Sequence, residues 1–216
     1  MQLEKCATLH ASMNPAAPAN FQNEIARAIS REDMAKLPIR RYEDRLCLVA
    51  TPQDLELARS DFLQESVVGF DTETRPAFKK GESHLPCLVQ AATARAVYLF
   101  QLRRTEVFPV LAELLSDPRI VKAGVSLADD LRALKKVFPF TEKNMLDLGL
   151  VARRSGFGQT GVRNLAGILL GTRIPKGAKT TNWAARTLTP QQITYAATDA
   201  WACRVLFLRA MEMGWV

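Results

Sequence analysis

The chain is 216 residues long, enough for one generous domain plus an extension, with a substantial buried core. Hydrophobic residues make up 48% and charged residues 24%, the balance of a globular protein rather than a disordered one, and no uncharged apolar run is long enough to cross a bilayer. Lysine and arginine total 29 against 22 acidic residues, and the net charge of +7 suits a polyanionic partner such as nucleic acid without establishing one.

Residues 1–20, with Asn14-Pro15-Ala16-Ala17-Pro18, read as a flexible tail. They hold no continuous apolar run, so no signal peptide is expected. Cys6, Cys47, Cys87 and Cys203 are widely spaced and form no C-x-x-C pair. That argues against a zinc site or a disulfide framework and for reduced, mostly buried thiols in a cytoplasmic protein. From Phe21 to Ala35 apolar residues recur at helical spacing, and Leu37-Pro38 should end that helix. Leu46 to Ala50 reads as a strand, after which Thr51-Pro52 opens a helix as N-cap and first-turn proline.

From residue 66 strands and helices alternate. The β-rich runs are Val67 to Phe70, Cys87 to Ala92, Ala96 to Phe100 and Ile120 to Ala123. Helical patterns cover Val107 to Leu115, Leu127 to Val137 and Val162 to Leu170, the last stopping at Gly171. A short segment lies at Met145 to Ala152, and a long final helix starts at Pro190. Three early strands followed by helix–strand alternation predict an α/β fold with a mixed sheet flanked by helices.

Three groups of acids stand out. Asp71-Thr72-Glu73 follows the strand Val67 to Phe70, and in extended chain residues two apart share a face. Two adjacent carboxylates repel unless a cation bound by oxygen ligands neutralises them. Asp129-Asp130 lies just inside the helix after Ser126. Ser126 and Asp129 have capping-box spacing, which leaves Asp130, about 100° round the helix, as the freer carboxylate. Tyr195 and Asp199 stand four apart on one face of the last helix, among the small residues Ala196, Ala197, Ala200 and Ala202. Each feature alone has an ordinary structural explanation: a loop entry, a response to the helix dipole, an edge-of-core pair.

Taken together, Gly69-Phe-Asp71-Thr-Glu73, Lys122 through Asp130-Leu131, and Asn182-Trp183 through Tyr195-Ala-Ala-Thr-Asp199-Ala-Trp201 resemble the DEDDy 3′–5′ exonucleases. The similarity is to ribonuclease D and the Werner syndrome exonuclease domain, and it extends from about residue 45 to the C-terminus. It implies a ribonuclease H-like fold over residues 45–216, with residues 1–44 as an N-terminal tail and helical arm, and its register also selects Asp130 over Asp129.

The resemblance further implies that Asp71, Glu73, Asp130 and Asp199 surround two divalent cations, Mg²⁺ or Mn²⁺. Asp71 would bridge both, Glu73 and Asp199 would hold the ion carrying the attacking water, and Asp130 would serve the second, partly through water. Cations about 3.5–4 Å apart clamp a scissile phosphate, one activating water and one stabilising the leaving 3′ oxygen. Tyr195, given an ordinary pKa near 10, is expected to orient the water rather than remove its proton. The product would be a 5′-mononucleotide.

For the substrate, Arg75, Lys79 and Lys80 are candidates to neutralise phosphates and Phe78 to stack on a base. Thr74-Arg75 stands where Werner-type relatives often carry an aromatic residue. Lys179 and Arg186, in a second basic stretch, are further candidates to face the strand, while Trp183 reads as a packing anchor. His10 and His84 read as surface residues. The expected partner is single-stranded or 3′-terminal DNA or RNA, with no membrane and no protein partner. Between Asp199 and Val216 nothing resembles the HRDC domain typical of ribonuclease D, which weakens a strict ribonuclease D assignment. The alternative, a catalytically silent nucleic-acid-binding module of the same fold, is disfavoured because all five expected side chains are present.

Overall fold

The computed structural model describes residues 25–79, 81–177 and 180–216. The expected tail, including Cys6 and His10, lies outside the described residues, as do Lys80 and Lys179. Among the described residues, no helix is long and apolar enough to cross a membrane.

Six strands form one mixed sheet: β1 (Leu46–Leu48), β2 (Val67–Thr74), β3 (Pro86–Ala92), β4 (Val97–Gln101), β5 (Val121–Gly124) and β6 (Met145–Asp147), in the order β1-β4-β3-β2-β5-β6. β3 runs antiparallel to β2 and β4, while the β1–β4, β2–β5 and β5–β6 pairs are parallel. β2 is longer than its apolar run, so Asp71 and Glu73 belong to the strand itself.

Helices cover both faces, which is why the central strands are apolar almost without interruption. Val68, Phe70, Val89, Ala91, Tyr98 and Phe100 point to one side, against α2 (Pro52–Phe62), α3 (Phe108–Ser116) and α4 (Leu127–Leu134). Val67, Leu88, Ala92, Val97 and Leu99 point to the other, toward α5 (Leu148–Arg154), α6 (Val162–Leu170) and α7 (Pro190–Glu212). Lys122 of β5 is 0% exposed, its ammonium donates to the Asp117 carbonyl at 2.7 Å, and burial pushes its pKa down to about 8.

Local signals fixed several boundaries. α2 and α7 both start with complete capping boxes, Thr51 with Asp54 and Thr189 with Gln192, each with proline in the first turn. α6 ends at Gly171 in the left-handed region, φ 61°.

Three expectations need correction. The arm's helix is α1 (Arg31–Lys36), begun by a Ser30 cap; residues 25–30 are not helical. The Ser126–Asp129 capping box does not form, because Ser126 itself is left-handed (φ 61°), a conformation that gives its side chain no cap bond. Its place is taken by Asp147, which accepts from the Leu127 amide at 3.1 Å with Oδ2 and from the Gly149 amide at 2.8 Å with Oδ1, serving α4 and α5 at once. Of the described cysteines, only Cys203 is buried; Cys47 and Cys87 are half-exposed.

Residues 29–42 lie along the domain. The Ile29 amide donates to Gln159 at 3.0 Å, the Arg173 amide to the Pro38 carbonyl at 2.8 Å, and the Tyr42 amide to Thr198 Oγ1 at 3.1 Å.

Candidate active site

The site is assembled between β2 and α7. On β2 the side chains of Asp71 and Glu73 share the face on which Gly69 meets α7. A Cβ at Gly69 would fall on the Ala200 carbonyl oxygen and lie 2.7 Å from the Arg204 nitrogen. The glycine, facing Ala200 and Arg204, lets the helix rest on the backbone of the strand. Asp199 thereby reaches Asp71 and Glu73: one carboxylate oxygen from each lies within 4.8 Å of the other two. Glu73 and Asp199 are each 8% exposed. Three acids so confined repel strongly when ionised, and an all-oxygen donor set of this charge fits a hard divalent cation.

Tyr195 lies one turn before Asp199. Burial first, then the charges of Asp199 and Glu73, a hydrogen bond to Asp199 and the charge of Asp71 push its phenol well above the ordinary tyrosine value. The ordinary pKa expected from the sequence is therefore corrected upward. The phenol stays protonated at neutral pH and can donate or orient, but it cannot serve as a base.

Asp130 is not one of the three clustered acids. It approaches from α4, near Thr72, whose side chain alternates to the face opposite Asp71 and Glu73. Burial raises its pKa to about 6; the Thr72 hydroxyl pulls it down, and Asp129 and Asp147 push it further up. Asp129, exposed, pairs instead with Arg132 at 2.6 Å.

Of the expected substrate residues, Arg75, Phe78, Lys79 and Arg186 are all exposed, Phe78 by 82%. Phe78 and Lys79 start a turn closed by Glu82, whose carboxylate accepts their amides at 3.2 and 3.4 Å. His84 is half-buried and sits 3.1 Å from Glu82.

Two further residues beside the cluster escaped the sequence reading. Gln90 is the register partner of Asp71, is 0% exposed, and among the described residues has no hydrogen-bond partner at either end of its amide. A polar residue inside the apolar run of β3 was the available signal. Cys203, one turn beyond Asp199, is buried; burial and then the charges of Asp71, Asp199 and Asp147 raise its thiol pKa, so it stays protonated.

A mixed sheet flanked by helices, with an Asp-x-Glu strand meeting a carboxylate from a late helix, defines a domain of ribonuclease H-like fold with an acidic site. The chain belongs to the 3′–5′ exonuclease family, whose profile matches residues 47–213 and whose enzymes are phosphodiester hydrolases. Among curated relatives it is 32% identical to the exonuclease mut-7 homolog of Homo sapiens, over 84% of this chain and 24% of that protein. It is 31% identical to ribonuclease D of Gluconacetobacter diazotrophicus, over 76% of this chain and 42% of that protein. The chain thus spans less than half the length of either. In fold it matches the Aedes aegypti Nibbler EXO domain with a TM-score of 0.69 at 22% identity, over 82% of this chain and 93% of that one. Trypanosoma brucei RNase D, in a complex with RNA U12, gives 0.66 at 20% identity, over 85% and 66%.

Proposed function

We propose that this chain removes nucleotides one at a time from the 3′ end of single-stranded nucleic acid, RNA foremost, by metal-assisted hydrolysis that releases 5′-mononucleotides. The observation that carries the reading is the convergence of Asp71, Glu73 and Asp199, with Tyr195 hydrogen-bonded beside them, in a member of this family. RNA is favoured by the ribonuclease D relative and by the RNA complex of a chain with the same fold.

Asp71, Glu73 and Asp199 would hold a first Mg²⁺ or Mn²⁺, and Asp71 with Asp130, partly through water, a second. When bound, such ions neutralise the scissile phosphate and make a water acidic enough to attack at neutral pH. Tyr195 orients that water through its protonated phenol. Arg75, Lys79 and Lys80 counter backbone charge, Phe78 offers a ring to a base, and Lys179 and Arg186 face the strand. Residues 45–216 form the catalytic domain, and residues 1–44 a tail and arm.

Incubation with 5′-labelled single-stranded RNA and DNA, with Mn²⁺ or with EDTA, tests the reading. A metal-dependent ladder that shortens from the 3′ end is expected, faster on RNA. Binding without cleavage would instead mark a silent module, and metal-independent cleavage would remove the role given to the acids.

A further inference from the structure

Ahead of α7, residues 174–177 and 180–183 form a strap on the active-site side of the molecule, held near both ends. At its start, the Ile174 carbonyl accepts from Arg163 Nε of α6 at 2.9 Å, and the Ile174 side chain is buried. At its end, Gln192 Nε2 of α7 donates to Thr181 Oγ1 at 3.0 Å and to the Asn182 carbonyl at 3.3 Å. Trp183, 1% exposed, then drops into the core with its ring centroid 6.1 Å from that of Tyr195.

Between those anchors Gly177 lies directly against the Tyr195 ring. A Cβ there would fall on the ring's Cδ2 and come within 2.7 Å of Cε2 and 2.9 Å of Cγ. Gly177 is not in the left-handed region, so its backbone has no conformational need of glycine. The need is space. A side chain at 177 would overlap the near edge of a ring that also packs on Trp183, and a ring pivoting on its Cβ carries its hydroxyl along.

We propose that Gly177 is a positioning residue. Its bare backbone and the Trp183 indole both bound the slot of the Tyr195 ring and so set where the hydroxyl sits relative to Asp199. The strap is thereby part of the catalytic apparatus, although Gly177 itself offers the reaction no functional group. The proposal rests on the reading that Tyr195 acts at the acid cluster.

The test uses Gly177→Ala, Tyr195→Phe and the double variant of the full chain. Rates on 5′-labelled single-stranded RNA are measured together with Mn²⁺ affinity by calorimetry and melting temperature. A parallel pair of proteins, with and without Gly177→Ala, carries 3-fluorotyrosine at position 195 for ¹⁹F NMR. Gly177→Ala is expected to lower kcat about tenfold or more, with KM, Mn²⁺ affinity and melting temperature held near the parent values. In the Tyr195→Phe background it should cost little, since residues acting as a unit are not additive. The fluorine resonance should shift.

An unmoved resonance overturns the slot, whatever the rates. So does an equal loss of rate in both backgrounds, or a loss that follows Mn²⁺ affinity or melting temperature. Should Tyr195→Phe alone keep the parent rate while the resonance shifts, the role given to Tyr195 fails and the slot stands as geometry.

Discussion

Ala200 presents its backbone carbonyl to Gly69 at the position a side chain would occupy, and through that contact α7 lies flat on β2. Gly69→Ala should lift the helix and draw Asp199 away from Asp71. Overpacking of this kind costs about 1–3 kcal/mol, and because the obstacle is backbone the upper end is expected. Denaturant titration should show the loss of stability, and calorimetry a parallel loss of Mn²⁺ affinity. Unchanged metal affinity would separate the contact from the site.

Metal should stabilise this fold through the acid cluster. A ligand that binds only the folded state adds about 2.7 kcal/mol at one hundred times its dissociation constant. Mn²⁺ is therefore expected to raise the melting temperature of the parent protein and to leave that of Asp71→Asn almost unchanged, with cleavage abolished. A variant that still gains stability from Mn²⁺ would place the ion elsewhere.

Asp147 receives amides from the first turns of two helices. Loss of a helix cap costs about 0.5–2 kcal/mol, so Asp147→Ala should exceed one ordinary cap. Hydrogen exchange should quicken at Leu127, Gly149 and Leu150. Because α4 carries Asp130, activity should also fall, and more Mn²⁺ should be needed for half-maximal rate.

Lys122 gives a signed pH dependence. Its folded-state pKa of about 8 lies below the ordinary lysine value of 10.5, so between these values the unfolded chain binds more protons and stability rises with pH. Below pH 8 the full penalty of burying the charge is present, about 3 kcal/mol at most. The stability of the parent relative to Lys122→Met should therefore increase from pH 8 to pH 10. A flat difference across that interval, in urea unfolding of both proteins, would contradict the buried ammonium.

Phe78 stands out into solvent within a turn held by Glu82. Phe78→Ala should leave the melting temperature alone and raise KM several-fold on single-stranded RNA with kcat retained, the loss expected of one base stack. A fall in kcat alone would rule out that contact.

Legibility in the sequence followed the range of the interactions. The Thr51 and Thr189 caps, the Gly171 stop and the alternation of strands depend on neighbours a few residues away, and those elements were readable to within a turn. The acids of β2 and α7 were legible as motifs, and the alanines around Asp199 hinted at a close backbone. The start of α4 was misread because its partner, Asp147, is 20 residues away and Ser126 takes a conformation that its residue type does not announce. The burial of Lys122 and the contact of Gly177 with Tyr195 exist only once the sheet and helices have met. No local pattern encodes them.

The acid cluster joins a strand from the first half of the sequence to α7, more than a hundred residues later. During synthesis β2 leaves the ribosome long before α7, and domains take shape from the N-terminal side. A growing polypeptide therefore holds Asp71 and Glu73 without Asp199, and no cation cradle can close until α7 has emerged. Any truncation upstream of Pro190 leaves Asp71 and Glu73 with no third acid.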